Sequence, residues 1–247
     1  MQLHSIGSIQ TCFNEKFGVP RQSLMVESAR GVIRLDPEFS HPDAFLHMEE
    51  FSHLWVVYLF HKNQNENHPH KWTNTITPPR IDAPNKVGVY ASRSPHRPNP
   101  IGLSVVKLEK INLINGRIEL EVSGVDILDG SPVLDIKPYV PYADSVLVAS
   151  SGWIKNEIVR YPVKYSDQAV QILLKSVVDH PALNVKKLIT EMLEWDPRPR
   201  SQREQNPIES ESSVGKRFAF RLLNYDVHWV IEQNATIQVV EIKTLKI

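Results

Sequence analysis

Cysteine is almost missing from this chain: Cys12 is the only one in 247 residues. A disulfide framework is thereby excluded, and a thiolate zinc site needs more sulfur. Cys12 reads as a strand-packing residue rather than a nucleophile, because no His/Asn signature surrounds it. Net charge is missing too, since 28 Lys and Arg balance 28 Asp and Glu. A generally basic nucleic-acid binder carries an excess, so contact with an anionic polymer would have to be local. No two glycines are separated by a single residue, which removes the GxG phosphate and dinucleotide fingerprint; neither a P-loop nor a GxSxG elbow occurs. A nucleotide-like cofactor, if bound, is therefore not held in a Rossmann crevice. No stretch approaches the ~20 apolar residues that span a bilayer. MQLHSIGSIQ has no charged n-region, so no signal peptide is expected. The simplest expectation is a reduced, cytoplasmic compartment.

Short apolar runs rich in β-branched and aromatic residues occupy 5–10, 31–35, 53–60, 87–91, 103–108 and 117–125, with turn signals between them. Asn115-Gly116 marks a hairpin. HLWVVYLF (53–60) is apolar nearly throughout and predicts a strand buried on both faces. Pro42-Asp43 predicts a short helix over 43–50. The pattern predicts a mainly β fold, a sandwich or small barrel, over 1–150. After a linker at 151–165 the periodicity turns helical. Ser166 and Asn184 stand as N-caps before the apolar sets Ala169, Val170, Leu173, Leu174, Val177 and Val185, Leu188, Ile189, Met192. DPRPRSQREQNPIESESSVG reads as a loop, and the segment from Lys216 reads as two or three strands. Residues 166–247 thus form a small α+β unit.

Proline is plentiful where turns alone would not need it. GVYASRSPHRPNPIGLS (88–104) contains three X-Pro steps that bias the preceding residues toward extended geometry and hold Arg93 and Arg97 on a stiff frame. The bland alternative is a rigid connection whose arginines pair with acids of the fold. In LDGSPVLDIKPYVPY (128–142), Asp135, Lys137 and Tyr139 recur with period two and share one strand face. They read either as a polar constellation for chemistry or as a structural ion pair at a sheet edge. FGVPRQ (17–22) again sets a cation beside a proline. Histidines at 41, 47, 53, 61, 68 and 70 match no ligand spacing, so no metal is expected. Lys164, Lys186 and Lys187 read as solvated helix-face charges, and the five tryptophans as core residues more than stacking platforms.

FGVPRQ, FSHLWVVYLF (51–60), GVYASRSPHRPNPIGLS and LDGSPVLDIKPYVPY resemble, in this order, the TsaA/TrmO-like family, and the tail with WDPRPR (195–200) and NYDVHW (224–229) is similar to its full-length bacterial members. The resemblance implies a β-barrel methyltransferase acting as a homodimer, with S-adenosylmethionine bound near the subunit interface. It implies transfer of a methyl group to N6 of threonylcarbamoyladenosine beside the anticodon of threonine tRNAs. Carried over by motif, cofactor contacts fall on Pro20, Arg21, Gln22, His61, Lys62, Arg93, Leu103, Leu128, Asp129, Gly130 and Ser131. Lys62 and His96 stand where members vary.

Methyl transfer is an in-line displacement whose rate rests largely on alignment. The acylated target nitrogen keeps its proton, so an acceptor nearby would help. Asp135 is the first expectation for that role and Tyr139 the second, with Lys137 orienting either or binding phosphate. Local positive charge for tRNA is expected from Arg97, Arg198, Arg200 and Arg203; a solvated loop is the alternative for 198–203. Two other classes remain open from sequence: an RNA-binding barrel without chemistry, and a small-molecule enzyme using the same cofactor.

Overall fold

Burial alternates residue by residue along most of the strands, and six of them close into a barrel. The computed structural model describes residues 3–63 and 72–245. In chain order the strands are β1 (Gly7–Thr11), β2 (Arg30–Leu35), β3 (His53–Leu59), β4 (Thr75–Ile76), β5 (Val87–Gly88), β6 (Ile101–Ile114), β7 (Arg117–Ser123) and β8 (Ser131–Pro138). The barrel order is β1-β2-β7-β6-β3-β8, and β8 closes back on β1 through Gly7–Ile9. Ile9, Ile33, Leu54, Val56, Leu120, Val122 and Val133, all fully buried, fill its interior. The hairpin between β6 and β7 turns on Asn115 and Gly116, both at positive φ, as a two-residue turn of the right twist demands. β4 and β5 form a separate two-stranded ribbon beside the barrel.

After the short helix α1 (Pro141–Asp144), the chain runs to β9 (Val163–Tyr165), then α2 (Asp167–Asp179), α3 (Val185–Glu194), α4 (Arg200–Gln205), β10 (Arg217–Leu222), β11 (Tyr225–Glu232) and β12 (Thr236–Thr244). The second sheet has the order β10-β11-β12-β9, with β9 parallel to β12. Ser166 and Asn184 cap α2 and α3 by accepting from the Ala169 and Lys187 amides, as the sequence predicts. Trp229, Leu188, Ile189 and Val239 build this core.

Several expectations are corrected. Residues 43–50 form no α-helix but two 3-10 turns, Pro42–Phe45 and Met48–Glu50, because Leu46 is extended and His47 takes φ +65° between them. β3 is buried on one face only: Leu54, Val56 and Tyr58 point inward, while Trp55 and Val57 are half-exposed. Lys164 lies on β9 rather than on a helix, and Val163–Tyr165 belongs to the sheet rather than to a linker. Part of the loop expected at 196–215 is helical as α4. His68 and His70 lie outside the described residues. No helix among the described residues is long and apolar enough to cross a membrane.

The C-terminal unit leans on the barrel's first long loop. The Trp195 indole N–H donates to the Met25 carbonyl at 2.7 Å, and the Glu191 carboxylate accepts from the Ser28 amide and hydroxyl at 2.8 and 2.7 Å.

Candidate active site

A cavity of about 170 Å³ opens at one end of the barrel. Tyr58 and Phe60 come from β3 and its continuation, His61 and Lys62 from the turn after it, Pro95 from the proline-braced segment, and Asp126, Leu128 and Ser131 from the approach to β8. The Phe60 amide donates to the Pro100 carbonyl at 2.8 Å, which ties the end of β3 to the braced segment.

The turn Leu128–Ser131 is fixed by its own bonds. The Thr11 amide donates to Asp129 Oδ1 at 2.8 Å, the Gly130 amide to the Ile9 carbonyl at 2.9 Å, and Ser131 Oγ to the Leu128 carbonyl at 2.7 Å. Gly130 takes φ +73°, which an L side chain adopts only under strain. Ser131 Oγ also lies 3.2 Å from His61 Nδ1. Burial and then the Lys62 charge pull the His61 imidazole below its ordinary range. The Lys62 ammonium reaches the Asn14 carbonyl at 3.3 Å, and Lys16 Nζ donates to the Lys62 carbonyl at 2.7 Å.

Asp126 is the residue that sequence reasoning passed over. Its carboxylate lines the cavity and accepts from Ser104 Oγ at 2.6 Å; Ser104 in turn lies 3.4 Å from the Tyr58 hydroxyl. Burial pushes the Asp126 carboxyl up to about 6, against the opposing pulls of the Ser104 bond, nearby backbone amides and the Arg93 charge. Burial and then the Asp126 charge push the Tyr58 phenol up as well. The available signal was a lone acid between two fully buried apolar residues, Val125 and Ile127.

Of the expected cofactor contacts, the structure brings His61, Lys62, Leu128 and Ser131 to the cavity wall. Arg93 Nη1 donates to Gln22 Oε1 at 2.5 Å, so those two meet at the braced segment. Pro20 and Arg21 line a smaller cavity between the barrel and the C-terminal unit, with Met192, Trp195 and Pro197. Arg21 donates there to the carbonyls of Asp196 and Arg198 at 3.1 and 2.8 Å. Burial and then Arg203 lower its guanidinium to about 10.

Leu103 stands elsewhere again, 57% exposed on the barrel's outer surface. Leu103, Val57 and Asp135 face each other across β6, β3 and β8. The bulge beside Val57 lets Ser131 and Val133 point inward while Asp135, of the same parity, points out. Asp135 pairs with Lys137 at 2.7 Å, and Tyr139 packs on Trp55 with ring centroids 5.8 Å apart. The trio shares a face as the spacing predicts, but not the face that bounds the cavity.

The four arginines expected to meet RNA all turn toward protein. Arg97, half-buried, donates to the Val89 and Ser92 carbonyls at 3.2 and 2.8 Å and so braces its own loop. Arg198 is 1% exposed, paired with Asp196 at 2.7 and 2.8 Å and set against the rings of Phe218 and Trp229. Arg200 binds Glu204 at 2.6 Å and Asn85 at 3.2 Å, and buried Arg203 donates to the Pro79 carbonyl. Arg198 and Arg203 are buried, and each of the four guanidiniums spends donors on protein groups. Among the described residues no three His, Cys, Asp or Glu side chains gather as a metal site.

Comparison with known proteins accounts for both halves of the chain. The family model described as the tRNA-methyltransferase O N-terminal domain matches residues 8–145, and the TrmO C-terminal domain model matches 159–245. A putative S-adenosylmethionine-dependent methyltransferase, RcsF, of Pseudomonas aeruginosa is 39% identical over 240 residues, covering 96% of this chain and 95% of that one. The tRNA (adenine(37)-N6)-methyltransferase of Escherichia coli is 34% identical over 229 residues, covering 92% of each. The mouse protein of the same name is 44% identical over 142 residues, which are 57% of this chain and 31% of that one. The crystal structure of TrmO from Pseudomonas aeruginosa superposes with a TM-score of 0.75 at 37% identity, covering 98% of both chains. Two family models matched in order, and relatives that align along nearly their whole length, establish that this chain belongs to the tRNA-methyltransferase O family.

Proposed function

We propose that this protein transfers a methyl group from S-adenosylmethionine to N6 of threonylcarbamoyladenosine beside the anticodon of threonine tRNAs. The observation that carries this reading is the cavity at the barrel end, in a chain whose relatives are named an S-adenosylmethionine-dependent methyltransferase and a tRNA (adenine(37)-N6)-methyltransferase. Its donor set fits the cofactor. Phe60, Val19 and Leu128 offer apolar walls, Lys16 and His61 would supply donors for a carboxylate, and Asp126 would supply an acceptor for a cationic group. When bound, the cofactor supplies an electrophilic methyl on a sulfonium. The protein's own part is alignment: the Thr11–Asp129 and Arg93–Gln22 bonds fix the walls before a ligand arrives.

A homodimer follows from the same reading. Leu103 lies on the outer surface, with half-exposed Trp55 and Val57, away from its own cavity. Leu103 meets a cofactor only if that surface packs against a second copy, which would also bring Asp135, Lys137 and Tyr139 to the partner's cavity. There the Asp135 carboxylate would take the N6 proton, or the Tyr139 hydroxyl oxygen would accept a hydrogen bond from it, with Lys137 orienting either. The barrel, 1–150, carries the chemistry and the C-terminal unit supports the substrate polymer. A lone buried thiol suits a reduced cytoplasm.

Tritium transfer from labelled S-adenosylmethionine tests the reading directly, with threonine tRNA carrying or lacking the threonylcarbamoyl group. Incorporation into the modified tRNA alone is expected. Cofactor binding by calorimetry without incorporation into any tRNA would instead favour a small-molecule enzyme. Loss of both would leave a barrel without the family's chemistry.

A further inference from the structure

Two aromatic rings are held out into solvent beside the cavity. Tyr90 is 72% exposed and Trp72 39%, with ring centroids 6.1 Å apart at 39°. The β4–β5 ribbon brings them together: Thr75 pairs with Gly88, and the Val89 amide donates to the Asn74 carbonyl at 2.9 Å. Rings of this size carry a large apolar area, and the segment bearing Tyr90 is tied to its surroundings by several bonds. The Arg97 guanidinium stands 5.8 Å from the Tyr90 centroid, anchored on the Val89 and Ser92 carbonyls. The Trp153 indole N–H holds the Ala91 carbonyl at 2.9 Å from the other side. The same segment continues to Arg93, bonded to Gln22, and to Pro95 on the cavity wall. Between Asp82 and Glu109 the sequence contains no acid, while Lys86, Arg93, His96, Arg97 and Lys107 supply donors. Tyr90 lies within this acid-free segment, and Trp72 packs against it from the approach to the neighbouring strand of the ribbon. Exposed aromatic faces beside cationic groups are what unpaired nucleobases stack on, since every base offers a π-face and a nearby phosphate.

We propose that Tyr90 and Trp72 form a stacking platform for an unpaired nucleobase of the RNA substrate, adjacent to the nucleotide whose base enters the cavity. This rests on the reading that the protein methylates RNA. It also assigns Arg97 a new part: the residue expected to bind phosphate stiffens the platform from beneath.

The test compares Tyr90→Ala, Tyr90→Phe and Trp72→Ala in the full-length protein. An anticodon stem-loop and a blunt duplex serve as probes, with RNA Kd measured by anisotropy, KM and kcat for tRNA, and cofactor Kd by calorimetry. Tyr90→Ala and Trp72→Ala should weaken stem-loop binding roughly 10- to 100-fold, the loss expected for one stacked base. Tyr90→Phe, which keeps the ring, should stay within about twofold of the parent on the same scale. Cofactor Kd should not move, and the slope of log Kd against log salt should be unchanged, because stacking releases no counterions. Stem-loop binding by Tyr90→Ala equal to that of the parent protein would overturn the platform alone. So would loss of cofactor affinity in step with RNA affinity, which would make Tyr90 a loop-packing residue, or dissociation of an oligomer, which would make the rings a self-interface. A parent protein that binds neither RNA would overturn the platform together with the function beneath it.

Discussion

Replacing Asp126 by Asn should stabilise the free protein while weakening the site. The side chain is nearly isosteric, and its carbonyl can still accept from Ser104, so the change removes mainly a buried charge. Asp126 ionises near 3.8 in the unfolded chain and near 6 in the folded one. Between those values the folded state keeps a proton that the unfolded state has released, so stability falls as pH rises through the window and levels off above it. The difference corresponds to about 3 kcal/mol of lost stability at pH 8 and about half that at pH 5. Urea unfolding of both proteins at several pH values reads this as a midpoint shift at constant slope. The gap favouring Asp126→Asn should widen by roughly 1.5 kcal/mol between pH 5 and pH 8. A gap independent of pH would refute the reasoning, as would a variant that becomes relatively less stable at high pH. The same variant should bind S-adenosylmethionine at least about tenfold more weakly, since a charged partner is worth more than about 1.4 kcal/mol in such a site. A buried acid that costs the free fold stability and lines a cavity is a candidate ligand contact, which the calorimetry tests.

Arg198→Met leaves Asp196 buried without its partner and should cost about 3–5 kcal/mol, lowering Tm by roughly 6–20 °C; an unchanged Tm would contradict the buried pair. Gly102→Ala places a Cβ 2.3 Å from Tyr58 Cζ, so the ring must shift from its position at the cavity. Cofactor affinity should fall with that substitution, and a calorimetric Kd equal to the parent's would dissociate Tyr58 from the site. Asp135→Asn should slow methylation without abolishing cofactor binding, and unchanged turnover would remove Asp135 from the mechanism.

Features governed by neighbours along the chain are legible in the sequence itself. The Asn115-Gly116 turn and the Ser166 and Asn184 caps depend on a few adjacent residues, and each stands where the sequence puts it. Features set by distant contacts are not legible in this way. Closure of β8 on β1, and the bulge that turns Asp135 outward, depend on register between strands far apart in the chain. A strand as apolar as 53–60 looks two-sided in sequence, yet only its inward face is fully covered. The arginines of 198–203 mislead for a related reason. Flanked by proline and polar residues, they look solvated, and only the folded chain supplies Asp196, Phe218, Trp229 and the Pro79 carbonyl around them. At the site, motif order points to the cavity walls, while Asp126 escapes because no repeated spacing flags a single buried acid.

Arg21 has one consequence for how the halves of the molecule communicate. It grips the 196–198 backbone of the C-terminal unit, while its neighbour Gln22 holds Arg93 at the braced segment. Two adjacent residues therefore report to two distant places. Linkage makes such a junction symmetric: whatever free energy ligand binding adds by ordering the 20–22 turn, docking of the C-terminal unit adds to ligand affinity in equal measure. A ligand that orders the 20–22 turn would in this way bind more tightly when the C-terminal unit is docked, although that unit contributes no wall to the cavity.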